Sequence, residues 1–203
     1  MLLFDECDLF TTGCSTKKTF DLPDLGLMLV EGFIPKAEAD RYYEHLLHAT
    51  PWREYQMPMY DKIVTAPRMV AWYGTQEETG ENTLQWTPEL SGLRAQVEKE
   101  TGLKFNAVLL NLYRNGNDSV AWHSDKEHRI GSNPNIASVT FGQTRPFKFR
   151  HKRDKDIGQV EIPLHHGTLL LMSGTTNTFW EHHIPKSAKQ MLPRINLTFR
   201  QVV

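Results

Sequence analysis

The segment Ala121-Trp122-His123-Ser124-Asp125 carries more chemistry for its length than any other in the chain. On an extended strand, side chains at i and i+2 point to the same face. His123 and Asp125 can therefore reach one point, with Ser124 turned away. An imidazole and a carboxylate at that spacing are two of the three groups in the facial 2-His-1-carboxylate set, which binds Fe(II) and leaves positions open for substrate and oxygen. Alone, such a pair is more often a solvated surface feature. A metal site needs a third ligand from elsewhere. His128, His151, His165, His166, His182 and His183 are the candidates in the second half of the chain. Strand alternation admits only one of the neighbours His182 and His183 to an inner face, and spacing does not choose among the six.

Two further segments carry polar groups at strand spacing. In Val108 to Tyr113, one face holds Val108, Leu110 and Leu112, and the other Leu109, Asn111 and Tyr113. In Arg194 to Arg200, Ile195, Leu197 and Phe199 share one face; Arg194, Asn196, Thr198 and Arg200 share the other. A single strand of this kind would ordinarily turn its polar face to water. Two of them beside a His-x-Asp suggest instead the inner wall of a small barrel or jelly roll surrounding a ligand. Arginines in such an interior need anions, and the guanidinium suits bidentate carboxylate contacts.

These strands need elements to hold them. Residues 1–24 read as an irregular leader, followed by a short apolar run, Leu25 to Val30, expected as a buried strand. Pro35 opens a helix in its first turn. Ala39, Tyr42, Tyr43, Leu46 and Leu47 form one stripe of it, and Pro51 stops it. Residues 52–86 are turn-rich and aromatic, as in a hairpin region. A second helix begins with Thr87 as N-cap and Pro88 at N1, carries Leu90, Leu93 and Val97, and ends at Gly102. Short β-rich runs follow from Phe105 onward, with a turn at His165-His166-Gly167. The expectation is a mainly β, α+β fold: one domain over 1–203, with a β-rich core in 105–203 and helices supporting it from 1–104.

Composition narrows the class. The chain has 203 residues with 39% hydrophobic and 10% aromatic content, which suits one globular domain with a sizeable core. The acidic start, with Asp5, Glu6 and Asp8, does not suit a secretory signal, and no stretch approaches the ~20 apolar residues of a membrane span. The two cysteines, Cys7 and Cys14, are expected to be reduced thiols of a cytoplasmic or nuclear protein. The net charge of −1 neither demands nor excludes nucleic acid. A monomer is the default.

Taken together, Asn111-Leu112-Tyr113-Arg114, His123-Ser124-Asp125-Lys126-Glu127, Ile136 to Gly142, His166 to Met172 and Pro193 to Arg200 resemble the AlkB family of Fe(II)/2-oxoglutarate nucleic-acid dealkylases, nearest its homologue 3 branch, over residues 64–203. The resemblance implies a double-stranded β-helix, a jelly-roll variant. It implies Fe(II) held by His123, Asp125 and His182, with His183 a neighbour of unassigned role. It implies 2-oxoglutarate on Asn111, Tyr113, Arg194, Asn196 and Arg200, with Arg200 on the distal carboxylate and Arg194 near the metal-bound end and Asp125. It puts Glu127 where a damaged base is read and Tyr73 in a base-stacking position, with a core aromatic as the alternative for Tyr73.

The implied reaction uses O2 and 2-oxoglutarate to hydroxylate the N-methyl group of a base such as 1-methyladenine or 3-methylcytosine, releasing formaldehyde, succinate and CO2. The partner would be alkylated single-stranded DNA or RNA, because a methyl inside a duplex is out of reach. Lys148, Arg150, Lys152, Arg153 and Lys155 form a run suited to phosphates, although Asp154 and Asp156 dilute it. The segment Thr75 to Asn82, with Glu77, Glu78 and Glu81, lacks the aromatic pair expected of a homologue 3 lid. A protein or small-molecule substrate, or a non-catalytic binding role, are the alternatives.

Overall fold

The computed structural model describes residues 15–59, 62–74, 83–125 and 133–202. The first strands are β1 (Thr16–Thr19), β2 (Gly26–Glu31), β3 (Arg53–Met59) and β4 (Lys62–Gly74). They are followed by β5 (Ala107–Tyr113), β6 (Val120–His123), β7 (Ile136–Gly142) and β8 (Arg145–His151). The last are β9 (Val160–Leu164), β10 (Thr168–Ser173), β11 (Trp180–Ile184) and β12 (Arg194–Arg200). Three helices accompany them among the described residues: α1 (Lys36–Ala49), α2 (Pro88–Thr101) and the single turn α3 (Thr176–Phe179). The strands form two antiparallel sheets, β1-β2-β10-β7-β12-β5-β4-β3 and β6-β11-β8-β9. They face one another as a jelly roll with helices behind the larger sheet.

Alternation along β5 and β12 explains the layering. Val108, Leu110, Leu112, Ile195, Leu197 and Phe199 turn outward to a core shared with Leu90, Leu93 and Val97 of α2 and with Ala39 and Leu46 of α1. Leu90 and Leu93 are fully buried, and truncating such a leucine costs about 2–5 kcal/mol. Thr87 caps α2 by accepting from the Leu90 N–H at 3.2 Å, and Gly102 closes it in the left-handed conformation at φ 70. Pro35 stands one residue earlier than the N1 position expected for it, as the N-cap of α1.

Between the sheets a second apolar core joins Leu27, Leu29, Leu170 and Met172 of the larger sheet to Phe147, Phe149, Ile162 and Trp180 of the smaller. The inner face then changes character across the larger sheet. From β7 through β12 to β5 it presents Ser138, Asn196, Arg194, Arg200 and Asn111, all buried. The polar face of β12 is therefore interior, as the paired polar strands suggested.

Residues before 105 build both flanks of this larger sheet. The hairpin expected in 52–86 appears as β3–β4. Part of the supposed irregular leader is β1, paired along the edge of β2. Its sequence, Thr-Lys-Lys-Thr, has no apolar alternation. Its strand state comes from its partner, and lysines suit an edge.

Candidate metal and anion site

β6 and β11 pair with His123 directly opposite His182, and the two rings meet edge to face with centroids 4.4 Å apart. Along β11, Trp180, His182 and Ile184 turn inward and are buried. His183 turns outward and stacks on Trp122 at 3.8 Å. Sheet geometry thus separates the two neighbouring histidines that spacing could not. Donor atoms of His123, Asp125 and His182 all lie within 4.8 Å of one another, with His182 Nε2 3.9 Å from Asp125 Oδ2. The His123 Nδ1 lies 2.8 Å from the Ala121 carbonyl, so it must carry the proton, leaving the Nε2 lone pair for a metal. Burial pushes the His182 pKa down to about 3, so its ring is neutral, the ligating form. Burial alone would raise the Asp125 pKa, but the Arg200 guanidinium, helped by Arg68, brings it below the usual value. Two imidazoles and one carboxylate are a donor set that fits Fe(II).

The two interior arginines lie in the reverse of the order implied by the sequence with respect to Asp125. Arg200, not Arg194, is the partner of Asp125, at 2.8 Å. Alternation places both guanidiniums on the inner face, but it does not say which end of β12 meets the chain leaving β6. Arg194 lies at the other end, opposite Tyr113 and Gly142 in the ladder. It is 1% exposed, and its Nη2 donates to Thr140 Oγ1 at 3.0 Å and Asn196 Oδ1 at 2.8 Å. Its Nε and Nη1 have no hydrogen-bond partner among the described residues. Burial lowers its pKa to about 10, with Tyr113 opposing the shift, so at neutral pH it remains a buried cation. Asn196 is locked in one orientation: Oδ1 also accepts from Ser138 at 2.9 Å, and Nδ2 donates to Thr198 at 3.1 Å. Asn111 Oδ1 accepts from Arg68 Nε at 2.9 Å, which leaves its Nδ2 for the cavity. These groups line one cavity of about 730 Å³, together with Trp72 and the exposed Tyr55.

The family description of the 2OG-Fe(II) oxygenase superfamily matches residues 26–200 of the chain. The chain belongs to the 2OG-Fe(II) oxygenase superfamily. Within it the chain is similar to AlkB homologues. The alpha-ketoglutarate-dependent dioxygenase alkB homolog 3 of Bos taurus is 43% identical over 186 residues, covering 86% of this chain and 65% of the relative. The human DNA oxidative demethylase ALKBH2 is 37% identical over 186 residues, covering 83% and 70%. The chain thus spans about 65% of the length of the homolog 3 relative. The solved structure of OsALKBH1 superposes with a TM-score of 0.69, covering 92% of this chain and 100% of that one, at 16% identity, which speaks to the fold alone.

The residues expected to face a substrate depart more from expectation. Tyr73 is 4% exposed and belongs to the outer core, because it pairs with Val108 on the helix-facing side of β4. The alternative reading of Tyr73 as a core aromatic is the correct one. Its neighbour Trp72, opposite Leu109, faces the cavity and lies 5.6 Å from the Arg200 guanidinium. Alternation already places Trp72 and Tyr73 on opposite faces; what the sequence lacked was the pairing register with β5. Arg150 is engaged by Glu181 at 2.7 Å and lies over Trp122 at 4.4 Å; Lys148 is engaged by Glu161 at 2.7 Å. Lys152 holds the carbonyls of Asn177 and Thr178. Much of the basic run therefore serves internal contacts. Glu127 and the segment Thr75 to Asn82 lie outside the described residues. Among those described, no helix is long and apolar enough to cross a membrane.

Proposed function

We propose that this chain is an Fe(II)- and 2-oxoglutarate-dependent dioxygenase that demethylates N-alkylated bases, of the 1-methyladenine and 3-methylcytosine type, in single-stranded DNA or RNA. The observation that carries this reading is one cavity with two features: a converging His-Asp-His set and a buried guanidinium with unsatisfied N–H groups. His123, Asp125 and His182 would hold the iron on one face. Arg194, with Tyr113 and the Asn111 amide, would hold the distal carboxylate of 2-oxoglutarate. Arg200 keeps the Asp125 carboxylate ionised and oriented. When bound, iron, 2-oxoglutarate and O2 together supply the oxidising power to hydroxylate a methyl group, a task beyond any side chain. The protein aims the methyl and excludes water. Hydroxylated on its N-methyl, the base then loses formaldehyde.

A base must leave its stack to enter such a cavity, which favours single strands. Trp72 and Tyr55 in its lining supply aromatic surface for the base. The compartment this reading calls for is the cytoplasm, or the nucleus of a eukaryotic cell. The test is succinate production from 2-oxoglutarate with a 1-methyladenine oligonucleotide, its unmethylated twin, or methylated peptides. Stimulation by the methylated oligonucleotide alone is expected; stimulation by peptides alone would transfer the reading to a protein substrate.

Two variant pairs probe its parts. His182→Ala should eliminate turnover, whereas His183→Ala should retain it, because only His182 faces the cavity; the reverse result in the same succinate assay would refute the ligand assignment. Trp72→Ala should weaken binding of a methylated single strand by about 1–3 kcal/mol, read by fluorescence anisotropy. Tyr73→Ala should instead lower stability by about 3–5 kcal/mol in urea melts, as expected for a core aromatic.

A further inference from the structure

β6 ends at His123, and Asp125 lies two residues beyond it, outside the ladder. Its backbone is nevertheless satisfied on both sides by one side chain. Asn177 Oδ1 accepts from the Asp125 N–H at 2.9 Å, and Asn177 Nδ2 donates to the Asp125 carbonyl at 2.8 Å. A primary amide offers a donor and an acceptor much as a peptide group does. Asn177 therefore stands in for the next residue of a partner strand. It sits in α3, just ahead of β11, the strand that pairs with β6. Its amide prolongs that pairing past the point where the ladder stops.

Asn177 is itself anchored. Lys152 Nζ donates to its carbonyl at 2.8 Å. The preceding Thr176 donates to the Ser173 carbonyl at 2.7 Å and accepts from the Gly26 N–H at 2.8 Å. Ser124, between the two candidate ligands, donates to the Trp180 carbonyl at 2.9 Å. Asp125 is thus fixed at its carboxylate by Arg200 and at its backbone by Asn177.

We propose that Asn177 is a positioning residue of the metal site, acting through the Asp125 backbone to keep the carboxylate where His123 and His182 converge. The inference rests on the reading of those three residues as metal ligands. Groups behind a ligand typically change metal affinity by about 10–100-fold when removed, and an effect of that size is expected here.

The test uses Co(II) as probe, titrated into the metal-free full chain and followed by its visible absorption bands, with thermal melting of the metal-free protein alongside. Wild type, Asn177→Ala, Asn177→Asp and Asp125→Ala are compared. Asn177→Asp is nearly isosteric; it replaces the donor to the Asp125 carbonyl by a carboxylate oxygen that repels it. Both Asn177 variants should bind Co(II) about 10–100-fold more weakly with altered bands, while the metal-free proteins still melt cooperatively. Wild-type affinity and bands in Asn177→Asp would overturn the proposal, whether or not Asn177→Ala folds. If wild type binds Co(II) no better than Asp125→Ala, the ligand assignment itself fails and the proposal falls with it.

Discussion

Asp125→Ala is expected to abolish turnover and to destabilise the protein as well. The carboxylate is at once the anionic member of the proposed ligand set and the partner of Arg200 at 2.8 Å. Arg200 is 4% exposed, so removing Asp125 takes the carboxylate from a buried ion pair, for which a loss of about 3–5 kcal/mol is typical. His123→Ala should also abolish turnover, but with little change in stability, since its ring is half-buried and among the described residues hydrogen-bonds only to the Ala121 carbonyl. Chemical denaturation of the metal-free variants separates the two. Equal stabilities for Asp125→Ala and wild type would mean that the Arg200 pair contributes nothing, contrary to the geometry described above.

Arg194→Met should act in the opposite sense on the free protein. The side chain is a buried cation whose Nε and Nη1 have no hydrogen-bond partner among the described residues, and apolar replacement of buried charge is often neutral or stabilising by about 1–4 kcal/mol. Its Nη2 contacts are shared: Asn196 Oδ1 also accepts from Ser138 and Thr140. Cosubstrate binding should suffer heavily. Two charge-assisted hydrogen bonds to a carboxylate are worth roughly 1.5–3 kcal/mol each, so a loss of about a hundredfold or more in 2-oxoglutarate affinity follows at 1.4 kcal/mol per factor of ten. Lysine should rescue only in part, because a point charge cannot make the forked contact. The measurement is an anaerobic titration of 2-oxoglutarate into Fe(II)-loaded protein, followed by the metal-to-ligand absorption band. Unchanged affinity in Arg194→Met would place the distal carboxylate elsewhere, with Arg200 the first residue to reconsider.

The sequence made the faces of this molecule legible, and the structure supplied the ends and partners. Alternation in β5 and β12 separated Leu110 and Leu197, which pack under the helices, from Asn111 and Asn196, which line the cavity. Capping chemistry located α2 to the residue, because Thr87, Pro88 and Gly102 each act through local backbone geometry. What local pattern cannot convey is which strand lies opposite. The pairing of Asp125 with Arg200 rather than Arg194, and the inward turn of Trp72 rather than Tyr73, both depend on that pairing register. Charge compensation was hidden for the same reason: Glu181 and Glu161 are distant in sequence from Arg150 and Lys148 but adjacent across the smaller sheet. Asn177 had no sequence signal, since it is one polar residue in the run Thr-Thr-Asn-Thr, and its importance lies wholly in the backbone it meets.

The direct measurement is mass spectrometry of a single-stranded oligonucleotide carrying one 1-methyladenine, after incubation with protein, Fe(II), ascorbate, 2-oxoglutarate and O2. The predicted result is loss of the methyl group with one formaldehyde and one succinate formed for each methyl removed, and no loss with Asp125→Ala. Full retention of the methyl by the wild-type protein, with succinate still produced, would contradict a nucleic-acid substrate of this kind.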